Sequence, residues 1–218
     1  MVLCLDMEIE LKYKIISVEK FEKILSDMWI RSHAEYADPE VTRMKAAYFD
    51  TEDHLLIGHN IAFRIRSEGE RTIATLKWRD NDEGIAGLYV RPEINIPVSD
   101  QACFFNPDPS IFKESAEGKD LIDLVDGRPL VNIFETIFTR KSFRIEFGHS
   151  ILEIALDEGV IVAGPESVPI RELEIEIISG NEKDLLSAGK KIADRYGLEP
   201  ELKTKFARGV ELINADKG

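Results

Sequence analysis

Charged residues alternate with aliphatic residues near the start of the chain, where Glu8, Glu10 and Lys12 are separated by Ile9 and Leu11. Successive side chains of a β-strand point to opposite faces, so a strand here would place the three charged groups on one face. Two carboxylates about 7 Å apart, followed by an ammonium group, could hold a divalent cation and the oxyanion that it neutralises. For a single strand, a solvated sheet face is the commoner explanation.

The same alternation recurs along the chain, and the sign of the charge changes from segment to segment. A predicted hairpin presents arginine and lysine on one face, whereas a strand late in the chain presents only glutamate. A solvated sheet face more often mixes both signs along each strand. The residues concerned are Arg64, Arg66 and Lys77 in the hairpin, and Glu172, Glu174 and Glu176 in the late strand.

Two arrangements of these strands are compatible with the alternation. In the first, the strands close into an antiparallel barrel with the charged faces inward, so that the interior has a basic wall and an acidic corner. Such an interior has to be wet and open to ligands, because unpaired buried charges are very costly. In the second, an apolar core lies inside and the charges face outward. Periodicity alone leaves both arrangements open.

Turn signals and apolar periodicity divide the chain into short elements. Ser17 is a predicted helix N-cap, followed by an apolar stripe that includes Phe21, Ile24, Leu25 and Met28. We expect one or two short helices between residues 99 and 128, a helix over Asn181–Tyr196, a hairpin turn at Glu158-Gly159 and a last short strand near Lys205 and Arg208. The other predicted strands are 42–50, 61–66, 71–78, 88–97, 132–147, 151–157, 160–163 and 172–177.

Composition restricts the functional classes. The 218 residues carry a formal net charge of −13, which argues against a nucleic-acid partner. No apolar run is long enough to cross a bilayer, and the start of the chain lacks the features of a signal peptide, so we expect a cytoplasmic protein without a membrane partner. Cys4 and Cys103 show no metal-ligand spacing. A homodimer is the default expectation for the assembly.

An ordered set of motifs resembles the CYTH superfamily, also called triphosphate tunnel metalloenzymes. The match begins with the Glu-x-Glu-x-Lys of residues 8–12 and spans the chain to Gly209. Single motifs are weak, but their order along the chain is specific. The further matching motifs are Tyr48-Phe49-Asp50-Thr51, Ala62-Phe63-Arg64-Ile65-Arg66, Thr75-Leu76-Lys77, Arg91-Pro92-Glu93, Arg140 and Arg144, Glu172-Leu173-Glu174-Ile175-Glu176, and Thr204-Lys205-Phe206-Ala207-Arg208-Gly209.

The resemblance implies an α+β fold, an eight-stranded antiparallel β-barrel with helices packed on the outside. One such domain would cover residues 1–218, with 1–6 as a possible extra N-terminal extension. Members of the superfamily transform triphosphates with Mg²⁺ or Mn²⁺. We therefore expect metal-dependent hydrolysis of a small-molecule triphosphate, with inorganic tripolyphosphate cleaved to diphosphate and phosphate as the first hypothesis.

The resemblance also assigns roles to residues. Glu10, Glu174 and Lys12 are the expected catalytic residues. The expected substrate-binding residues are Lys12, Arg64, Arg66, Lys77, Arg91, Arg140, Arg144, Lys205 and Arg208. The expected metal ligands are Glu8, Glu10, Glu93, Asp157, Glu172, Glu174 and Glu176, and the pair used among the last three glutamates is left open.

Three other functions stay open at this stage. A class IV adenylyl cyclase shares the fold but must hold adenine, for which Phe63, Tyr89 or Phe143 is a candidate. Thiamine or nucleoside triphosphatases use the same chemistry on an organic triphosphate. A non-catalytic polyphosphate-binding module would keep the basic wall, although the presence of both acidic clusters speaks against it. Trp29 and Trp78 are expected to pack on the outer face of the barrel.

Overall fold

The computed structural model describes residues 6–78, 84–99 and 101–215, so Cys4 and nearly all of the expected N-terminal extension lie outside the described residues. No helix within those ranges is long and apolar enough to cross a lipid bilayer. The strands are β1 (Asp6–Lys14), β2 (Glu40–Asp50), β3 (Ile61–Glu68), β4 (Arg71–Trp78), β5 (Leu88–Pro97), β6 (Val131–Phe147), β7 (Ser150–Ala163), β8 (Glu166–Ser179) and β9 (Glu199–Pro200). The helices are α1 (Val18–Leu25), α2 (Met28–His33), α3 (Leu55–Gly58), α4 (Ala116–Val125), α5 (Glu182–Tyr196) and α6 (Lys205–Ala215), with 3-10 turns at Gln101–Phe104 and Pro109–Phe112.

The eight long strands form a closed antiparallel barrel. Their order is β5-β4-β3-β2-β6-β7-β8-β1, and β1 also pairs with β5, which closes the sheet. At the closure Glu8 lies opposite Arg91 of β5, and Glu10 lies opposite both Tyr89 of β5 and Glu176 of β8. The short β9 pairs with the end of β1. The predicted α+β barrel is therefore confirmed.

Apolar side chains cover the outside of the barrel and pack under helices. On one side, Leu11 and Ile175 of the strands contact a cluster that includes Phe21 of α1 and Ile192 of α5. Phe143 belongs to the same cluster, so it faces away from the barrel interior. Of the two arrangements that periodicity left open, the structure adopts the one with apolar residues outside and charged residues inside.

A second outer cluster lies under α4. Phe63, Leu76 and Phe112 are fully buried there, and Trp78 packs against its edge. The hypothesis that Phe63 or Phe143 assists adenine binding is therefore wrong, because alternation puts both rings on the outer face. The position of Trp29 on the outer face is confirmed by its packing in the first outer cluster.

The C-terminal segment is a helix rather than the predicted last strand. Thr204 caps α6, its hydroxyl accepting from the backbone N–H of Ala207 at 3.1 Å. Helix α6 packs against inward-facing residues of the barrel, and Phe206 contacts the stacked rings of Tyr48 and Phe134. Gly209 permits this close approach, since a Cβ there would lie 2.3 Å from the Phe134 ring.

The predicted hairpin turn at Glu158-Gly159 is also wrong. Both residues lie within β7, where Gly159 pairs with Phe138 of β6 and Ile170 of β8. A Cβ at Gly159 would be 2.1 Å from the carbonyl oxygen of Ile137, so this glycine serves a close approach between strands. The chain turns five residues later, where Gly164 has a φ of +55°.

The predicted first helix is divided in two, because Asp27 begins a new helix. Its carboxylate accepts from the backbone N–H groups of Trp29 and Ile30 at 2.6 and 3.0 Å, and Met28 is 77% exposed rather than part of the buried stripe. The other carboxylate oxygen accepts from Arg195 at 2.7 Å and from the Tyr196 hydroxyl. Asp27 thus joins α2 to α5. Although burial opposes it, hydrogen bonds from Tyr196, Arg195 and the backbone lower the pKa of Asp27.

Replacing Asp27 by Asn should remove part of the acid sensitivity of the fold. Because the folded-state pKa of Asp27 is depressed, its contribution is present above the unfolded value of 3.8 and is lost as pH falls through the folded value. Asn keeps the helix cap but loses the charge. We expect the variant to be about 1–2 kcal/mol less stable in urea at pH 7. The difference should shrink below about pH 4, and a constant difference down to pH 2 would contradict the assignment.

Candidate functional site

A cavity of about 550 Å³ lies inside the barrel, a size typical of small-molecule sites. Charged side chains from six strands and from α6 line it. Within the described residues, seven glutamates and seven lysines or arginines contribute to the lining. They are Glu8, Glu10, Lys12, Arg64, Arg66, Glu68, Lys77, Arg91, Glu93, Arg140, Glu174, Glu176, Lys205 and Glu211.

The first group of ion pairs joins β1, β4 and β5. The Lys77 ammonium lies 2.6 Å from a carboxylate oxygen of Glu8 and 2.6 Å from one of Glu93. Arg91 donates to Glu8 at 3.2 Å and to Glu10 at 2.6 Å. Although burial opposes it, Lys77 and Arg91 lower the pKa of Glu8. The Glu8 carboxylate is therefore ionised and held by two strands other than its own.

The second group joins β6, β7, β8 and α6. Lys205 donates to Asp157 at 2.7 Å, to Glu174 at 2.9 Å and to Glu172. Arg140 holds Asp157 through two parallel bonds of 2.8 Å and also contacts Glu174. Despite burial, the three carboxylates raise the pKa of Lys205, so its charge is maintained. Arginine forks of this kind fix both the position and the charge of a carboxylate.

Lys12 connects the two groups. Its ammonium lies 3.1 Å from Glu10 and 2.5 Å from Glu174, and it is 5.8 Å from the centre of the Tyr89 ring. Only 5% of the Lys12 surface is exposed. Burial would favour the neutral amine, but Glu10 and Glu174 raise the pKa of Lys12 well above its usual value. A charged ammonium therefore lies between the two acidic groups.

Arg64 and Arg66 form the wall on β3. Although burial opposes it, Tyr48 and Glu93 raise the pKa of Arg64, and Arg64 in turn lowers the pKa of the Tyr48 hydroxyl. Arg66 pairs with Glu68 on its own strand. The buried Nε of Arg64 and that of Arg66 have no hydrogen-bond partner within the described part of the chain. These donors are suited to the oxygens of a phosphate.

Two carboxylates face each other without an intervening cation. Glu10 and Glu176 are directly opposite on β1 and β8, and like charges in this position destabilise a sheet. Burial together with the charges of Glu8 and Glu10 raises the pKa of Glu176 to about 8. Burial, Glu8 and Glu174 also raise the pKa of Glu10. Glu176 has no ion pair with any residue that the structure describes.

Most of the residues assigned from the sequence meet at this cavity, and the exceptions follow from geometry. Asp157 and Glu172 lie behind the lining and hold Lys205, while Arg208 pairs with Glu172 at 3.1 Å. The structure does not bring Arg144 into the cavity. This residue is exposed on β6, a strand of 17 residues that extends beyond the cavity.

Three uncharged lining residues were not among the assigned site residues, although Tyr89 was considered for adenine binding. Tyr48 and Tyr89 are aromatic, and Asn95 is an amide next to the acidic Glu93. Trp78 lines the cavity as well as packing outside it, so its assignment to the outer face was incomplete. Period-two alternation already puts Asn95 on the face of Arg91 and Glu93, and the same alternation was the signal that could have placed Tyr48 and Tyr89 on the inner face.

Comparison with known proteins identifies the family. The model of the CYTH domain matches residues 6–210, which is nearly the whole chain. The chain belongs to the CYTH domain family. The matched region includes both ion-pair groups and the start of α6, so the CYTH domain contains the whole cavity wall apart from Glu211.

Similar proteins agree with this assignment. The chain is 35% identical over 138 residues to an inorganic triphosphatase of Haemophilus influenzae, a match that covers 63% of this chain and 37% of that protein. A solved structure from Hippeastrum, of a protein reported to have a dominant triphosphatase activity, is similar with a TM-score of 0.70 at 19% identity, covering 94% and 95% of the two chains. A candidate adenylate cyclase from Bacillus halodurans has a TM-score of 0.55 at 22% identity, covering 91% and 95%. The two structures support the barrel fold.

Removing the Lys205 ammonium should destabilise the barrel. Lys205→Met keeps the length of the side chain but leaves Asp157, Glu172 and Glu174 with one cation fewer in a buried site. Breaking a buried ion pair costs about 3–5 kcal/mol, so we expect a loss of that size in urea unfolding. Lys203→Met is the matched control, because Lys203 pairs with Glu211 at the surface and should contribute less than about 1 kcal/mol. Equal losses in the two variants would contradict the role of Lys205.

Proposed function

We propose that the cavity is the active site of a metal-dependent triphosphatase, with inorganic tripolyphosphate as substrate and diphosphate and phosphate as products. The observation that carries this proposal is the cavity inside the barrel, whose lining combines seven lysine or arginine side chains with seven glutamates among the described residues. The name of the Haemophilus influenzae relative supports the same substrate, although the match covers 37% of that protein.

The basic wall supplies the groups that bind the substrate. Arg64 and Arg66 approach from β3, and Lys77, Arg91 and Arg140 approach from three further strands. Lys205 approaches from α6, and Arg208 supports it through Glu172. Arginine binds phosphate oxygens through forked bonds and lysine acts as a point charge, so a flexible polyphosphate can be held along its length. The cations that pair with carboxylates, such as Lys77, Arg91 and Lys205, must exchange part of that contact for phosphate oxygens.

The glutamates of the lining have the donors that Mg²⁺ or Mn²⁺ requires, because they offer only carboxylate oxygens. We assign the metal to Glu8, Glu10, Glu174 and Glu176. Glu176 supports this assignment, since it has no ion pair within the described residues and faces Glu10 across the strands. Asp157 and Glu172 are left out of this set because they lie behind the cavity lining, where they hold Lys205, and we assign Glu93 to the positioning of Lys77. When bound, the metal neutralises the developing charge and polarises the terminal phosphoryl group.

The residues of the chain then position the reaction. Lys12 lies between Glu10 and Glu174 and offsets the charge of both while a polyanion is nearby. We assign Glu10, whose carboxylate lies 3.1 Å from the Lys12 ammonium, as the acceptor for the proton of the attacking water. With no covalent intermediate needed, binding and charge stabilisation supply most of the rate. Helix α6 packs over the inward-facing rings of Tyr48 and Phe134 and would shield this side of the phosphate chain from bulk water.

The direct test is phosphate release from tripolyphosphate with Mg²⁺ or Mn²⁺, in wild type and Glu10→Gln. We expect metal-dependent release by wild type and a loss of at least 100-fold in kcat/KM for the variant, as for removal of a general base. Glu211→Gln is the matched control at the cavity edge and should retain activity. Tight binding of tripolyphosphate without release would instead identify a binding module and contradict the triphosphatase.

An organic triphosphate is the second candidate substrate, and one observation favours it. Trp78 and Tyr89 both line the cavity, and aromatic rings can stack on a base or a thiamine ring. Assaying ATP and thiamine triphosphate beside tripolyphosphate separates the candidates. Faster turnover of an organic triphosphate, or formation of cyclic AMP from ATP, would replace the inorganic substrate. The cytoplasmic location and the homodimer stay predictions from the sequence.

Two variants on β8, Glu172→Gln and Glu176→Gln, should distinguish a metal ligand from a carboxylate that only stabilises the fold. Glu176→Gln should weaken metal activation, raising the Mg²⁺ concentration for half-maximal activity about 10-fold or more, whereas its stability should be near that of wild type. Glu172→Gln removes a partner of Lys205 and Arg208 and should mainly lower stability in urea. If Glu172→Gln shifted the Mg²⁺ requirement and Glu176→Gln did not, our assignment of the metal would fail.

A further inference from the structure

A chain of polar contacts runs along β4 and β5 from a fully buried hydroxyl to the cavity. It starts at Thr75, which has no exposed surface and does not line the cavity, and passes through Asn95 and Glu93 to Lys77. We propose that Thr75 and Asn95 are positioning residues that hold Lys77 in place for the phosphate. This inference rests on the proposed function of the cavity.

Strand register builds the chain of contacts. Thr75 lies directly opposite Asn95, and Lys77 lies directly opposite Glu93. The Thr75 hydroxyl donates to the Asn95 carbonyl oxygen at 2.8 Å, and the Asn95 amide nitrogen donates to Glu93 at 2.6 Å. The other oxygen of Glu93 lies 2.6 Å from the Lys77 ammonium. One buried hydroxyl is therefore linked to the ammonium through two side chains.

The Asn95 amide is held at both ends, its oxygen by the Thr75 hydroxyl and its nitrogen by Glu93. An amide can present either its oxygen or its nitrogen to a neighbour, and the hydrogen-bond network decides between them. With Thr75 donating to the oxygen, the amide nitrogen faces Glu93 and donates to one of its carboxylate oxygens. The reverse orientation would place the amide oxygen 2.6 Å from a carboxylate oxygen, which is repulsive. Glu93 therefore sets the orientation of the amide, and Thr75 anchors the amide in that orientation by donating to its buried oxygen.

Glu93 in turn restrains Lys77. The ammonium lies between Glu93 and Glu8, so two carboxylates from different strands limit its motion. If the amide rotates, Glu93 loses its donor and can turn away, and Lys77 keeps one of its two restraints. The total charge of the cavity does not change. We therefore expect weaker stabilisation of the transition state, which depends on geometry, and a smaller effect on binding of the polyanion.

The kinetic test compares two variants at one buried position. Thr75→Val keeps the shape but removes the hydroxyl, whereas Thr75→Ser keeps the hydroxyl but removes a methyl group. We expect kcat to fall about 10-fold in the valine variant with KM changed less than threefold, and the serine variant to be close to wild type, as for partners that orient a liganding carboxylate. A packing role would give the opposite order, with serine the more impaired.

A second readout does not depend on turnover. The Lys77 ammonium should give a resolved ¹H–¹⁵N signal, assigned through Lys77→Arg, because its two ion pairs slow proton exchange. We expect Thr75→Val to broaden this signal or remove it, and Thr75→Ser to keep it. The signals of Lys12 and Lys205 are internal controls, since their carboxylate partners lie on β1, β7 and β8. A wild type that turns over no triphosphate would disprove the proposed function, and the Lys77 signal would still decide this inference.

Asn95→Asp provides the remaining check if Thr75→Val does not fold. It keeps the shape of the side chain at the cavity wall but replaces the donor to Glu93 by an oxygen. We expect the Lys77 signal to be lost and turnover of the triphosphate to slow about 10-fold or more, because Glu93 then loses its orienting partner. An unchanged Lys77 signal together with unchanged turnover in Asn95→Asp, or in a folded Thr75→Val, would overturn the inference.

Discussion

Burial of charge inside the barrel is the constraint on which the structure depends. Glu10 is 2% exposed, Lys12 5% and Glu174 6%, so each has lost most of its hydration. Such groups are stable only where opposite charges and hydrogen bonds replace water. Lys12 bonds to Glu174, and Lys205 bonds to three carboxylates. The apolar core then has to form on the outside, which explains why helices cover the barrel wall.

The alternation of charged and apolar residues along the strands could be predicted from the sequence. Whether the charged face turns into the barrel or out to solvent could not. Glu8, Glu10 and Lys12 share one face in any strand, and the bounds of β5 agree with the predicted strand over 88–97. Period two is the same whether the charges face in or out, so the inward orientation came from the resemblance to a family. The turn assigned to Gly159 failed because glycine also permits close approach between strands, as it does here.

The contacts within the site depend on register, which local sequence does not specify. The opposition of Glu10 and Glu176 requires the pairing of the first long strand with the eighth, 166 positions along the chain. Register also shifts between Tyr48 and Phe49 and between Ile151 and Leu152, so counting residues along the strands would misplace later pairs. The residue types of the site were predictable, whereas the partner of each carboxylate was not. Arg144 illustrates the limit, because correct alternation still places it beyond the cavity.

Charge balance suggests how a protein with a net charge of −13 can take up a polyanion. Among the described residues, seven acidic and seven basic side chains line the cavity, so its lining is formally neutral while the chain as a whole is strongly negative. A free triphosphate would be repelled at a distance, and the neutral interior would not attract it by net charge. On our proposal, a triphosphate that arrives with a divalent cation carries less charge, and it meets a lining in which carboxylates and cations alternate, so that each component finds its counterpart. Selectivity for a metal-bound triphosphate would then come from the positions of the charges in the cavity rather than from their sum. The positions depend on side chains that orient each lysine and arginine.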